Sequence, residues 1–306
     1  MSRRRRQRPV HPLHPRYWPT WLGVGVLGAL SRLPLAWQRR LGQYVGRLSH
    51  RLLRRRRRIA RINLDLCFPQ LAATERAALV EQHFEALGIS LFETAIAWLR
   101  NPTRLRHRLH VEGRAHLDQA LAAPEGTLLV GAHFVTLEIV GALLAQTADF
   151  DAVHRPHGNP VLERLQRRAR SRHYGGVLDR ADLRGIVRRL NAGRTVWYAP
   201  DQDPGARQAV FVPFFGVPAA TLTATVRLAR LTGARMLLID HWRDAAAMTW
   251  TVRLRPAPEG VPSGDVLADT ARLNGALEEA IAAHPEQYLW LHRRFKTRPP
   301  GAPPHY

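Results

Sequence analysis

Cysteine and lysine are almost absent from this chain, acidic residues are few, and several common site signatures are missing. Cys67 is the only cysteine in 306 residues. That excludes an intrachain disulfide and a cysteine zinc cluster, and it fits a reducing compartment. There is no G-x-S-x-G elbow, so a serine esterase is unsupported. There is no Walker loop either, so the usual nucleotide triphosphate cradle is missing. Gly23–Gly28, "GVGVLG", matches G-x-G-x-x-G, but it follows Trp-Pro-Thr-Trp inside an apolar run rather than a strand. A dinucleotide site needs a strand before that loop and a βαβ unit around it, and the glycines read instead as permitting close packing or a shallow kink. No internal repeat is visible, and no linker is long enough to divide the chain beyond its N-terminal region.

Positive charge is what the chain has in excess. Lys+Arg 46 against Asp+Glu 24 gives a net charge of +22, and nearly all the basic residues are arginine. Such a surface favours anionic partners: nucleic acid, anionic lipid headgroups, phosphorylated substrates or an acidic carrier protein. No nucleic-acid-binding motif accompanies the charge, which argues against nucleic acid.

The N-terminal region concentrates that charge around an apolar stretch. Arg3–Arg6 and Arg8 precede Tyr17–Ser31, a run of 15 residues without charge, and Arg54–Arg58 follow an arginine-striped amphipathic segment. The run is short for a bilayer, which takes about 18–20 residues. A cleaved signal peptide competes, but the intensely basic segment behind the run resists translocation. Tyr17, Trp18, Trp21 and Trp37 suit a membrane–water interface. The reading is a basic tail over 1–16, a membrane-anchor helix over 17–40 and a catalytic domain over 41–306. The cationic helix behind the anchor would lie on anionic headgroups. A buried helix followed by a solvated basic one is the competing reading.

Beyond residue 58 helical and strand patterns alternate. Helices are expected over 59–100, broken at Pro69, and over 115–123, 160–174, 182–192, 221–232 and 265–283. Strands are expected near 107–113, 127–131, 194–200, 235–241 and 248–255. The alternation makes the class α/β. Within it, "LLVGAHFVTLEIVGALL" runs a buried strand into Gly131 and places His133 and Glu138 at the start of an apolar helix. Composition alone gives about one His-x4-acid pair by chance, so the spacing is weak. The context is stronger, because α/β proteins place their sites at strand ends. A neutral histidine there serves as a general base if a carboxylate fixes its tautomer. Asp201 follows a second strand end. Between the two lies Pro160–Tyr174, capped by Asn159-Pro160 and carrying Arg164, Arg167, Arg168, Arg170 and Arg172. Base, acids and arginines together suit transfer chemistry on an anionic acceptor.

With these residues in view the chain resembles the late acyltransferases of lipid A biosynthesis, in particular the lauroyl type. The resemblance rests on "GAHFVTLE", "RPHGNPVLE", "VWYAPDQDPG", "VFVPFFGVPAATLTAT" and "PEQYLWLHRRFKTRPPG", and it runs over essentially the whole chain. It implies a single acyltransferase domain with a central mixed sheet flanked by helices. It implies transfer of a fatty acyl chain from acyl carrier protein to a hydroxyacyl hydroxyl on the tetra-acylated, octulosonate-bearing lipid A precursor. The place would be the cytoplasmic side of the inner membrane. The family's catalytic pair falls on His133 and Glu138, with Glu138 holding the imidazole. Its functional arginine falls on Arg170, which with Arg168 would grip the acceptor's anionic groups. Its aspartate falls on Asp201, ordering that arginine or its loop. The thioester carries its own activation, so neither metal nor organic cofactor is expected. Phe211, Phe214, Phe215 and Ala219–Ala224 would line an acyl groove or simply fill a core. A related enzyme acting on another glycolipid, such as a phosphatidylinositol mannoside, would share His133 and Glu138 and differ at the acceptor.

Overall fold

The computed structural model describes residues 11–206 and 209–306. The N-terminal arginines Arg3–Arg6 and Arg8 lie outside them. Four helices come first: α1 (Trp18–Leu30), α2 (Leu35–Leu52), α3 (Arg54–Cys67) and α4 (Ala73–Leu99). Strand and helix then alternate through β1 (Leu109–Glu112), α5 (Arg114–Ala122), β2 (Thr127–Val130), α6 (Leu137–Leu144), β3 (Asp151–His154), α7 (Pro160–His173), β4 (Gly176–Asp179), α8 (Leu183–Asn191) and β5 (Thr195–Tyr198). A hairpin of β6 (Ala209–Phe214) and β7 (Val217–Leu222) precedes α9 (Ala224–Thr232), β8 (Arg235–Asp244), β9 (Thr249–Pro256) and α10 (Val266–Ala283).

Seven strands form one sheet in the order β1-β9-β8-β2-β5-β3-β4. All neighbours are parallel except β8 and β9. The mixed α/β sheet is therefore the architecture expected. β2 lies at its centre, and all four of its residues are buried. Period-2 alternation divides the core. Leu129, Trp197, Leu237 and Ile239 face the layer of α4 and α6. Leu128, Val130, Val196, Tyr198 and Leu238 face the layer of α8, α9 and α10. Burial on both faces is why these strands read as continuous apolar runs rather than alternating ones. Each fully buried aliphatic side chain contributes about 1.5–3 kcal/mol.

The membrane anchor expected over 17–40 is overturned. Among the described residues no helix is long and apolar enough to cross a membrane. Two helices meet in that segment. α1 holds 13 residues and ends at Leu30, giving about 20 Å of helix against a hydrocarbon core of about 30 Å. α2 carries Arg39, Arg40, Arg47 and Arg51. The transmembrane helix and the inner-membrane location that rested on it both fall with this finding. Instead α2 packs along α4 through glycines. A Cβ on Gly88 would stand 2.0 Å from the Gly42 carbonyl oxygen, and one on Gly46 would stand 2.3 Å from that of Phe84. The glycines of "GVGVLG" lie within α1, where Gly23 and Gly25 meet nothing within 4 Å.

Candidate active site

The site is assembled at the carboxyl ends of β2 and β5. The chain leaves β2 through Gly131, where a Cβ would lie 2.5 Å from the carbonyl oxygen of Ile239. Only glycine allows that approach to β8, which explains the residue ahead of the histidine. β2 and β5 are neighbours with Val130 opposite Tyr198, so the loops leaving them emerge side by side. His133 comes from the first and Asp201 from the second.

Asp201 is 1% exposed and makes two contacts with His133. Its Oδ1 lies 2.6 Å from the imidazole Nδ1, and its Oδ2 accepts the backbone N–H of His133 at 3.0 Å. Burial alone would raise the Asp201 pKa, but the His133 charge and the hydrogen bonds from His133 and Tyr288 overcome it and hold it at about 2. An ionised carboxylate only accepts, so Nδ1 carries the proton. Nε2 is left as the basic nitrogen, and the His133 side chain is 27% exposed to the cleft.

The C-terminal segment clamps the same loop. Leu289 N–H donates to the His133 carbonyl at 3.0 Å, and Val135 N–H donates to the Gln287 carbonyl at 2.8 Å. Tyr288 lies close to Asp201, with its hydroxyl held protonated by burial and by that carboxylate. Asp203 N–H donates to His292 Nε2, and Thr297 bonds both oxygens of Asp203. Buried Arg294 bonds the Ala220 carbonyl and the Thr221 hydroxyl. "YLWLHRRFKTRP" is thus a framework around two aspartates and a histidine. Below the loop, the Thr136 hydroxyl lies 2.8 Å from His241 Nδ1. Burial, and then the His133 charge, lower the His241 pKa to about 3.

Glu138 does not touch His133. Its oxygens take Arg170 Nη2 at 2.5 Å, Trp98 Nε1 at 2.7 Å and Gln166 Nε2 at 3.0 Å. Burial opposes ionisation, but the Arg170 charge and these three donors win and lower the Glu138 pKa. Its place in the first turn of α6 also suits a negative charge. Arg170 is 9% exposed, and its Nη1 lies 3.2 Å from His154 Nδ1. It is engaged with Glu138 and His154 and also lines the larger lobe of the cleft. Arg168 points to solvent on the exposed side of α7 and lines neither lobe of the cleft.

That cleft has two lobes meeting at His133. The smaller, about 100 Å³, is lined by Arg155, Arg180, Tyr198, Gln202, Asp203 and Leu222 among others. The larger, about 210 Å³, is lined by Glu138, Gln166, Arg170, Tyr174 and Trp197, with Arg155 again at its wall. Arg155, Arg180 and Tyr288 were missed in the sequence. "HRPHGNP" flagged a helix cap but hid an arginine at the end of β3, and nothing local to Tyr288 points to Asp201. Among the described residues no cluster of three histidine, cysteine or acidic side chains is placed to hold a metal ion.

A model of the bacterial lipid A biosynthesis acyltransferases matches residues 5–297. The chain is 42% identical over 295 residues to the lipid A biosynthesis lauroyltransferase of Escherichia coli K12, covering 96% of each chain. It is equally 42% identical to the palmitoleoyltransferase of that organism, over 94% of each. To the myristoyltransferase it is 30% identical, over 94% of this chain and 90% of that one. A histidine with its carboxylate at a strand-end cleft, in a chain matched almost end to end, identifies an acyltransferase of the bacterial lipid A biosynthesis family.

Proposed function

We propose that this enzyme moves a fatty acyl chain from acyl carrier protein to a hydroxyacyl hydroxyl of the octulosonate-bearing, tetra-acylated lipid A precursor. Lauroyl is the chain proposed first, from the sequence resemblance. The His133–Asp201 contact carries the mechanism. Nε2 takes the acceptor hydroxyl proton as that oxygen attacks the thioester carbonyl. The imidazolium then returns the proton to the leaving thiolate, so base and acid are one residue. Asp201 keeps the proton on Nδ1 and offsets the imidazolium charge, the part Asp plays in a Ser-His-Asp triad. The role first given to Glu138 passes to Asp201. Glu138 and Arg170 form a neutralised polar wall of the larger lobe, where the acceptor hydroxyl is positioned. Arg155 and Arg180, exposed at the cleft, suit the acceptor's phosphates or sugar carboxylates. The exposed arginines of α3 suit anionic lipid headgroups and the acidic carrier.

The test is acyl transfer by purified His133→Ala and Asp201→Asn. Both are expected to keep their fold and lose activity, Asp201→Asn by about 10⁴-fold because the neutral amide fixes the wrong tautomer. Near-normal turnover in Asp201→Asn, with Glu138→Gln inactive, would return the orienting role to Glu138.

A further inference from the structure

Beside the cleft lies an apolar recess of about 510 Å³ between the β6–β7 hairpin, α8 and α9. Leu183, Val187, Val210, Leu222, Leu228 and Leu231 supply most of its lining, and Thr223 and the exposed Arg227 are its polar members. Leu183 is 49% exposed and Leu231 71%, so large aliphatic side chains stand open to water among the described residues. Leu222 lines both this recess and the lobe at His133. Two further recesses, one beside Thr147 and Arg194 and one beside Asn101 and Arg172, share no lining residue with the cleft.

The reaction explains why the two should be continuous. The thioester carbonyl must stand within reach of the hydroxyl held at His133 Nε2, and the donor's alkyl chain begins at the next carbon. The lobes at His133 are small and walled by arginine, glutamate and aspartate, so an alkyl chain held there would sit against charge. Leu222 gives it an apolar exit. The volume falls within the range of pockets that enclose small ligands.

We propose that the recess between the hairpin, α8 and α9 is the groove for the donor's acyl chain, entered over Leu222, and that Val210 and Leu231 set the chain length accepted. This rests on the acyl-transfer reading above. The donor chain fits better than the acceptor's hydroxyacyl chain, because Leu222 lines the smaller lobe, whereas the acceptor hydroxyl is placed in the larger one, whose lining lacks Leu222. The residues flagged in the sequence as groove or core divide accordingly. Phe214 and Ala219 belong to a core cluster and Ala220 is likewise buried, and Leu222 to Ala224 face the groove.

The experiment measures kcat/KM of the full-length enzyme for saturated acyl carrier protein donors from eight to sixteen carbons, with purified lipid A precursor as acceptor. Val210→Trp fills the groove, and Leu231→Glu puts a charge on its rim at a position exposed enough not to trouble folding. In both, the ratio of long-donor to short-donor kcat/KM is expected to fall, by about three- to fourfold for each methylene excluded. The KM for the acceptor should stay as in the wild type. An unchanged donor profile in both variants would overturn the proposal. So would a change confined to the acceptor KM, which would give the groove to an acceptor chain. A wild-type enzyme that transfers no chain from any donor would instead refute the acyl-transfer reading, and the groove's role with it.

Discussion

Two glutamates in this protein are held in nearly the same way. Glu93, on α4, takes Arg243 Nη1 at 2.7 Å and Trp250 Nε1 at 2.7 Å. Glu138, on α6, takes Arg170 Nη2 at 2.5 Å and Trp98 Nε1 at 2.7 Å. Each is an arginine–carboxylate pair with an indole N–H completing the carboxylate's shell. They differ in what surrounds them. Glu93 and Arg243 are both 2% exposed at the side chain, whereas Glu138 and Arg170 are 14% and 11% exposed and line the cleft. The chemistry of a pair does not reveal its task. Its access to substrate does.

The largest effect expected from breaking this comparison is at Glu93. Glu93→Ala leaves the Arg243 charge buried without a partner and should cost about 3–5 kcal/mol of stability. Urea unfolding measures it, and turnover per folded molecule should stay near wild type. Loss of turnover in a fully folded Glu93→Ala protein would erase the distinction. Glu138→Gln should show the reverse balance. It keeps a side chain able to accept from Trp98 but removes the charge opposite Arg170, at the wall of the cleft. Turnover should drop about tenfold to a hundredfold, the worth of a charge-assisted hydrogen bond, with a smaller change in stability than at Glu93.

Acid titration sharpens the contrast further. The folded-state pKa of Glu138 is lowered, so its stabilisation is fully present above the unfolded glutamate value of about 4.3 and is lost as pH falls through the folded value. Stability curves measured downward from pH 5 should therefore be flatter for Glu138→Gln than for wild type, by no more than one proton. A steeper curve would contradict the pairing. The smallest effect is expected at Arg168. Exposed on α7 and absent from the cleft, it should give an Arg168→Ala enzyme within about twofold of wild type at physiological salt. A large loss specific to the acceptor would restore the role that the sequence suggested.

The sequence carried the sheet better than the site. β2, β5, β8 and β9 were legible because burial on one or both faces leaves a readable apolar pattern. β4 was missed because Gly175-Gly176 signals a stop while its strand is half-buried throughout. The β6–β7 hairpin was hidden by Pro213, Pro218 and the Phe215–Gly216 turn, in which both residues have positive φ. The helix expected to hold both His133 and Glu138 at its start begins only at Leu137, since Phe134 pairs with Tyr288 instead. His133, Asp201 and Arg170 were all marked, yet their pairing was misread. Spacing along one helix put Glu138 beside the histidine, whereas the neighbouring strand supplies Asp201 from 68 residues away. Strand order decides which loops meet, and strand order is the part of an α/β fold that local pattern leaves open.

The clamp on the histidine also bears on when the enzyme becomes active. His133 is fixed in place by Leu289, by Asp201 and, through Asp201, by Tyr288. During synthesis the histidine leaves the ribosome more than 150 residues before Tyr288 does. Contacts so distant along the chain close late in folding. The arrangement around the proposed base is therefore expected to be complete only after the segment around Tyr288 has been made and has docked.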